Sequence, residues 1–226
     1  RVVDEALWES KHSAKRIKKV RDNSPITFNS LYQQRPSAQE GNMLKKAWFE
    51  TVDFINDNDY KLDVYVDGAY TSNTKNDPTA IMLVAHNKKE MVIKNSTTIH
   101  MQLFELLEFI PQYFETHGLS KWNTRLFIEP KASGKSLHSM LGNAGFNSIE
   151  IENKRVSLGK INRVEDSSPS IQGGKVKVLK GNWNNSFIEE CVSFPNGLHD
   201  DQVDNLCYAV FEYFIHPPEQ HVWIED

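Results

Sequence analysis

The chain has 226 residues, of which 39% are hydrophobic and 25% are charged, a balance typical of a globular fold and unlike that of disordered chains. Its formal net charge of -4 means that any contact with nucleic acid would depend on a local basic patch. No apolar run is long enough to span a membrane, and no signal peptide is visible. Cys191 and Cys207 lie in apolar surroundings, which indicates buried thiols in a reducing compartment.

The first 55 residues differ from the rest of the chain. The run KHSAKRIKKVR is basic and predicted to be helical, with a solvent-facing helix surface as its simplest interpretation. Pro36 and Gly41 interrupt the segment that follows, and its apolar anchors are Leu31, Tyr32, Trp48 and Phe49. We therefore predict a linker or strap over residues 1–55, one α/β domain over residues 56–226, and a longer parent protein.

Three strands are predicted to open the domain. In YKLDVYVDGAY, apolar residues at every second position place Asp63 and Asp67 together on the opposite face of a strand. TAIMLVAHN and EMVIKNSTTIH are two further strands, joined by a turn at Lys88 and Lys89. Their short connections predict antiparallel pairing.

The remaining segments alternate between predicted helices and short strands. MQLFELLEFIPQYFETHG and SGKSLHSMLGNAGF have helical spacing, whereas NTRLFIEP, NSIEIEN and GKVKVL are predicted strands. NNSFIEECVSF and HDDQVDNLCYAVFEYF are the last helices, and SSPSIQGGKVKV (167–178) is predicted as a mobile loop and hairpin. The order predicts an α/β fold with a mixed sheet, in which helices flank three antiparallel strands and further parallel strands.

Carboxylates stand at two predicted strand ends. Asp67 ends the first strand and Glu129 ends RLFIE, and functional groups gather at the carboxyl ends of strands in open α/β sheets. A buried carboxylate also requires a partner or a cation. Each residue can equally be an ordinary polar strand end, and Asp63 competes with Asp67 for the same role.

A third acidic group opens the last helix. Asp201 and Asp204 are neighbours on one helix face, where like charges repel. Acidic residues in the first turn of a helix interact favourably with the helix dipole, and Asp200 fits the N-cap position. These two effects explain one or two of the three aspartates. Capping does not explain Asp204, which stands a turn further in, and a shared divalent cation would reverse the repulsion.

The segment EPKASGKS ends like a phosphate-binding loop, but Glu129 occupies the position where that loop requires its first glycine. A carboxylate there would repel phosphate, so we predict no nucleotide site. No His or Cys cluster has zinc spacing and no serine nucleophile elbow is present. The three groups of acidic residues, at Asp67, at Glu129 and at the start of the last helix, instead predict one or two Mg²⁺ or Mn²⁺ ions. These ions prefer oxygen ligands and can bind both sides of a phosphodiester.

This order of motifs resembles the RNase H-like nucleases and, more specifically, the C-terminal nuclease domain of the large terminase subunit of tailed bacteriophages. The stretches that carry the resemblance cover nearly the whole chain: LYQQRP…EGNMLKKAWF, VDGAYTSNTKNDPTAIMLVA, FIEPKASGKSL, INRVEDSSPSIQGGKVKVL and NGLHDDQVDNLCYAV. The resemblance implies a metal-dependent DNA endonuclease that cleaves concatemeric viral DNA during packaging into the procapsid, in the host cytoplasm. The family's packaging ATPase is expected to lie outside this chain.

By the resemblance, Asp67, Glu129 and Asp201 form the catalytic, metal-binding triad, Asp204 is a fourth ligand, and Asp200 is either a ligand or a helix cap. Two ions, Mg²⁺ or Mn²⁺, are expected. The implied partners are double-stranded DNA, the portal and procapsid, and the small terminase subunit, with no membrane. The isolated domain is expected to be a monomer.

DNA contacts are expected from cations that touch phosphates rather than from side chains that read bases. Each candidate can also be an ordinary surface charge; they are Lys131, Lys135, Lys160, Arg163, Lys175 and Lys177. Two other functions stay open. One is a junction resolvase or transposase-type nuclease of the same fold, against which the strap at residues 28–49 argues. The other is a non-catalytic docking module whose acidic residues only cap a helix.

Overall fold

The computed structural model describes residues 43–68, 78–130, 134–215 and 217. All of these residues fall in one compact unit. Within them, no helix is both long enough and apolar enough to cross a membrane.

A mixed sheet of seven strands forms the centre of the described fold. In chain order the strands are β1 (Glu50–Val52), β2 (Lys61–Asp67), β3 (Thr79–His86), β4 (Met91–Ile99), β5 (Arg125–Ile128), β6 (Asn147–Glu150) and β7 (Val176–Leu179). Their spatial order is β1-β7-β4-β3-β2-β5-β6. Strand β3 is antiparallel to β2 and β4, and the other neighbouring strands are parallel. The predicted mixed sheet is confirmed.

Helices connect and cover the strands. They are α1 (Leu103–Thr116), α2 (Gly134–Asn143), the single turn α3 (Asn153–Val156), α4 (Lys160–Gln172), α5 (Asn184–Ser193) and α6 (Asp201–Val210). Short 3-10 turns occur at Lys46–Trp48 and Asp57–Asp59, and a π-helical turn, Phe211–Ile215, continues α6. Every residue of α6 is buried, so this helix lies in the interior although it begins with aspartate.

Two apolar cores lie against the sheet, and the alternation in β2 separates them. Val64 and Val66 belong to one core, together with residues of α1 and α2. Tyr65 belongs to the other, together with residues of α4, α5 and α6. Asp67 therefore lies on the face that α6 covers.

The predicted mobile loop over residues 167–178 is wrong, because its first half is helical. Helix α4 continues through Pro169 to Gln172, and Gly173 N–H donates to the Pro169 carbonyl at 2.9 Å. Its buried face includes Ser167 and Ile171, so packing stabilises a helix that the local Pro and Gly residues disfavour. Strand β7 pairs in parallel with β1 and β4, so this segment forms no hairpin.

Residues before position 56 contribute to the described unit. Strand β1 pairs in parallel with β7, Leu44 and Phe49 lie in the core, and Trp48 packs against it. The other two predicted anchors, Leu31 and Tyr32, and the basic run at 11–21 lie outside the described residues. The division at residues 55 and 56 stays a prediction.

Candidate carboxylate site

Asp67 and Glu129 meet at the carboxyl ends of two neighbouring parallel strands. Val66 of β2 is in register with Ile128 of β5, and Glu129 N–H donates to the Val66 carbonyl at 3.1 Å. The next residue of each strand is the acid, and the two carboxyl groups are hydrogen-bonded to each other. Both side chains are buried, with 4% of each residue exposed.

Helix α6 brings Asp201 and Asp204 to the same place. The helix is fixed to β3 by Asn205, whose Nδ2 donates to the Ala80 carbonyl at 3.0 Å. Ala80 is the residue paired with Asp67 across β2 and β3, so this anchor lies directly beside Asp67. The charges of Asp201 and Asp204 act on Asp67, so the four acids, which were predicted on three elements, lie near one another.

The acids interact through their charges as well as through a hydrogen bond. Burial raises the pKa of Asp67 well above its usual range, and the hydrogen bond and charge of Glu129 and the charges of Asp204 and Asp201 raise it further. Burial and the neighbouring carboxylates therefore favour the protonated form of Asp67. A divalent cation would compensate the same negative charges.

Tyr208 orients Glu129. Its hydroxyl donates to Glu129 Oε1 at 2.6 Å, and burial, followed by the charges of Asp67 and Glu129, raises the pKa of Tyr208. Tyr208 lies one helical turn after Asp204, so helical spacing places the two on the same side of α6. It holds the carboxylate in one orientation, as the outer partners of metal ligands do.

Arg163 is a buried partner of Asp204, which corrects the prediction that it contacts DNA. Only 1% of the residue is exposed, and its Nη2 pairs with Asp204 Oδ1. Its Nη1 donates to the carbonyls of Val156 at 3.1 Å and Leu158 at 2.7 Å, and its guanidinium lies over the ring of Tyr208. The guanidinium therefore cannot reach a phosphate on the surface.

Lys160 engages the same acidic group from the solvent side. Its Nζ is 3.1 Å from Asp204 Oδ2 and also contacts Asp200 Oδ1, and 41% of its side chain is exposed. Burial lowers the pKa of Lys160, but the hydrogen bond to Asp200 and the charges of Asp204 and Asp200 outweigh burial and raise it overall. Lys160 stays positively charged next to the carboxylates.

The helix cap of α6 comes from another helix. Asp200 occupies the N-cap position, but its side chain makes no capping hydrogen bond, contrary to the predicted capping role. Glu190 of α5 accepts instead from the Gln202 backbone N–H at 2.7 Å and from Gln202 Nε2 at 2.6 Å. Glu190 was not predicted, because only the packing of α5 against α6 brings it there.

Asp63 belongs to a different network, at the other end of β2. It accepts from Arg125 Nη2 at 2.6 Å and from the Tyr213 hydroxyl at 2.8 Å, and Arg125 also pairs with Glu212. Burial would raise the pKa of Asp63, but hydrogen bonds from His86 and Arg125 outweigh burial and lower it. Of the two competing residues, only Asp67 stands with the other candidate acids.

The remaining predicted DNA contacts divide between two edges of the sheet. Lys135 is exposed in the first turn of α2, and Lys131 lies outside the described residues. Lys175 directly precedes Val176, the first residue of β7. Val176 pairs with Met91 of β4, Met91 with His86 of β3, and His86 with Lys61 at the start of β2. Six residues of strand, roughly 20 Å, separate Lys61 from Asp67. Lys175 is therefore at the opposite edge of the sheet from the acids, so it is not part of a DNA-binding surface next to them.

Lys177 likewise differs from its prediction. It lies in β7 and pairs with Glu90 Oε2 at 2.9 Å, away from the acids. Lys177 pairs with Val92 of β4, Val92 with Ala85 of β3, and Ala85 with Leu62 of β2. Leu62 lies five residues before Asp67.

The acids fit a hard divalent cation in the chemistry of their donors. Carboxylate oxygens are the ligands that Mg²⁺ and Mn²⁺ prefer, and the raised pKa of Asp67 beside Glu129 indicates where negative charge needs compensation. In the described part of the chain, no three His, Cys, Asp or Glu side chains already have the geometry of a metal site. Binding would therefore require these side chains to rotate away from their present hydrogen bonds.

Comparisons with known proteins point to one group. A family model described as Terminase RNaseH-like domain matches residues 64–212. The large terminase of a thermophilic bacteriophage, solved in complex with ADP, is 13% identical with a TM-score of 0.60, and the match covers 92% of this chain and 54% of the other. This chain thus spans about half the length of that terminase.

Two solved nuclease domains are similar over most of their length. The large terminase nuclease of thermophilic phage G20c, with bound magnesium, is 12% identical with a TM-score of 0.58, covering 78% of this chain and 100% of that one. The P22 large terminase nuclease domain is 13% identical with a TM-score of 0.55, covering 75% and 91%. No curated protein sequence matches this chain.

Proposed function

The chain belongs to the family of terminase RNase H-like domains, and from this premise we propose that it is a divalent-cation-dependent endonuclease that cuts double-stranded viral DNA during packaging. The family and the RNase H-like fold are as predicted. The observation that carries the proposal is the convergence of Asp67, Glu129 and Asp201 from β2, β5 and α6. Divalent-cation chemistry agrees with the magnesium in the G20c nuclease.

Asp67, Glu129 and Asp201 would hold the cation. When bound, the ion supplies Lewis-acid activation of the phosphodiester and of water. Tyr208 orients Glu129, and the bond from Asn205 to the Ala80 carbonyl keeps α6, and with it Asp201, against the sheet. The exposed amine of Lys135 would contact DNA phosphates.

The proposal extends to the wider assembly, which the family match supports. We place the chain at the portal of the procapsid in the host cytoplasm, working with the small terminase subunit. The ATPase part of a large terminase would lie in the portion of the protein that this chain does not span. The family match and the terminase neighbours support this function over a junction resolvase or a docking module.

A nicking assay tests the proposal. Purified chain is incubated with supercoiled plasmid and Mn²⁺ or Mg²⁺, in parallel with Asp67→Asn, Asp201→Asn and the surface control Asp53→Asn, whose carboxylate pairs with exposed Lys180. Wild type and Asp53→Asn should relax and linearise the plasmid. The nicking rate of Asp67→Asn and Asp201→Asn should fall by more than about 100-fold, since changes to the outer partners of metal ligands alone lower metal affinity or activity by about 10–100-fold.

Two results would count against the proposal. Equal nicking by wild type and both site variants, or no nicking by wild type with either metal, would remove the catalytic assignment. A strong preference for branched DNA over plasmid would favour the resolvase.

A further inference from the structure

Both carboxylate oxygens of Asp204 are already engaged by positive side chains. Oδ1 pairs with Nη2 of Arg163, and Oδ2 is 3.1 Å from Nζ of Lys160. Asp204 is 2% exposed, so water does not compete strongly for either oxygen. The position predicted to be a fourth metal ligand is therefore occupied by two cations of the protein itself.

Arg163 cannot leave Asp204 without a large penalty. The guanidinium is buried, its other nitrogen is bound to the carbonyls of Val156 and Leu158, and its face covers Tyr208. A metal ion bound to Oδ1 of Asp204 would leave this buried cation without its partner, which is strongly unfavourable. Only Oδ2 remains for a metal ion, and Lys160 occupies it.

Two cations of the protein compensate two of the acids. Arg163 and Lys160 pair with Asp204, and Lys160 also pairs with Asp200, which is less exposed than Lys160 itself. The negative charges of Asp67, Glu129 and Asp201, which are buried, are left for a divalent ion to compensate, and one ion neutralises two of these three charges.

We propose that Lys160 takes the place of a second divalent ion, so that the site binds a single ion through Asp67, Glu129 and Asp201. Asp204, with Asp200, positions the Lys160 amine. This inference rests on the proposed function and replaces the two ions predicted from the sequence. A lysine ammonium is a compact charge on a flexible stem, so Nζ can move from the carboxylates to an oxygen of a bound phosphodiester.

Counting metal ions tests the proposal without relying on activity. Isothermal titration calorimetry with Mn²⁺ on the metal-free chain should give one ion for wild type and for Lys160→Arg, which keeps the charge. Lys160→Met removes the charge and should either admit a second ion or tighten binding of the first at least tenfold. Lys180→Met, which removes an exposed lysine paired with Asp53, should behave as wild type.

The outcomes separate this proposal from the function on which it rests. Two ions of comparable affinity on a wild-type chain that cleaves plasmid would overturn the role of Lys160 and leave the nuclease intact. Lys160→Met with unchanged stoichiometry and affinity would also overturn it. A wild-type chain that binds no Mn²⁺ and cleaves nothing would contradict the nuclease function itself. Thermal unfolding in EDTA verifies that each variant is folded.

Discussion

The carboxyl groups of Asp67 and Glu129 share a hydrogen bond at the ends of two adjacent parallel strands. A hydrogen bond between two carboxyl groups requires a proton on one of them, and burial keeps that proton in place by raising the pKa of Asp67. Protonation of Asp67 therefore stabilises the metal-free fold.

The first prediction concerns pH and metal together. A carboxyl whose pKa is raised on folding contributes stability that is fully present below its unfolded pKa, near 3.8, and is lost as pH rises through the folded pKa. Metal-free wild type should therefore lose stability towards neutral pH relative to Asp67→Asn, whose amide does not ionise. A pKa that rises by one pH unit on folding corresponds to about 1.4 kcal/mol.

Mn²⁺ should make wild type more stable than Asp67→Asn, the reverse of the order expected without metal at neutral pH. Wild type gains about 2.7 kcal/mol when the free ion is at about 100 times its Kd, whereas Asp67→Asn gains much less. Thermal unfolding from about pH 4 to about pH 8, in EDTA and in excess Mn²⁺, measures both effects. A difference between the two proteins that is independent of pH would show that the Asp67 proton does not stabilise the fold.

The second prediction concerns the buried pair of Arg163 and Asp204. Asp204→Asn leaves the guanidinium of Arg163 buried without a charged partner, so we expect a loss of about 3–5 kcal/mol in the free energy of unfolding. Asp53→Asn, which breaks the exposed pair with Lys180, should leave the free energy of unfolding nearly unchanged. Urea unfolding in EDTA makes this comparison.

Adding Arg163→Met to Asp204→Asn removes the unpaired charge and should recover part of the loss. A double variant whose loss equals the sum of the two single losses would mean that the two side chains act independently.

The pieces of the site that the sequence predicts are those set by local pattern. Alternation along β2 places Asp67 on one face, and helical spacing places Asp201 and Asp204 together, because side-chain direction follows from backbone period alone. The resemblance to terminase nucleases then joins these elements into one site.

The pieces that the sequence does not predict depend on distant contacts. Glu190 caps α6 from another helix, and Arg163 is a basic residue whose burial follows from Asp204, 41 residues later. Helix α4 contains Pro169 and is followed by a Gly pair, so local signals indicate a loop while buried Val164 and Ile171 stabilise a helix. Charge alone likewise could not assign Lys135 and Lys175 to different edges of the sheet.

The third prediction separates these two lysines. Lys135→Ala should weaken binding of a short fluorescent DNA duplex and reduce the slope of log affinity against log salt by about 0.9, the value for one phosphate contact. Lys175→Ala should leave both unchanged, because Lys175 lies at the opposite edge from the acids and contacts the ring of Phe214. Fluorescence anisotropy in EDTA over a range of salt measures both, and equal losses for the two variants would contradict the assignment.

The last prediction concerns Asp63, whose pKa is shifted in the opposite direction to that of Asp67. Its stabilising contribution is present above the unfolded pKa near 3.8 and is lost as pH falls through the lower folded pKa. Asp63→Asn removes one of the two carboxylates that pair with Arg125, so at neutral pH it should be less stable than wild type by about 1–3 kcal/mol. The difference in stability between wild type and Asp63→Asn should shrink below about pH 4, because the Asp63 carboxyl of wild type then becomes protonated.

Metal binding distinguishes this network from the carboxylate site. Four residues of strand, roughly 13 Å, separate Asp63 from Asp67. Asp63→Asn should therefore bind Mn²⁺ with the wild-type stoichiometry and Kd despite its lower stability, whereas Asp67→Asn should lose the ion while remaining folded. Calorimetry below the melting temperature of both variants makes the comparison. A folded Asp63→Asn that no longer binds Mn²⁺ would place Asp63, rather than Asp67, among the ligands.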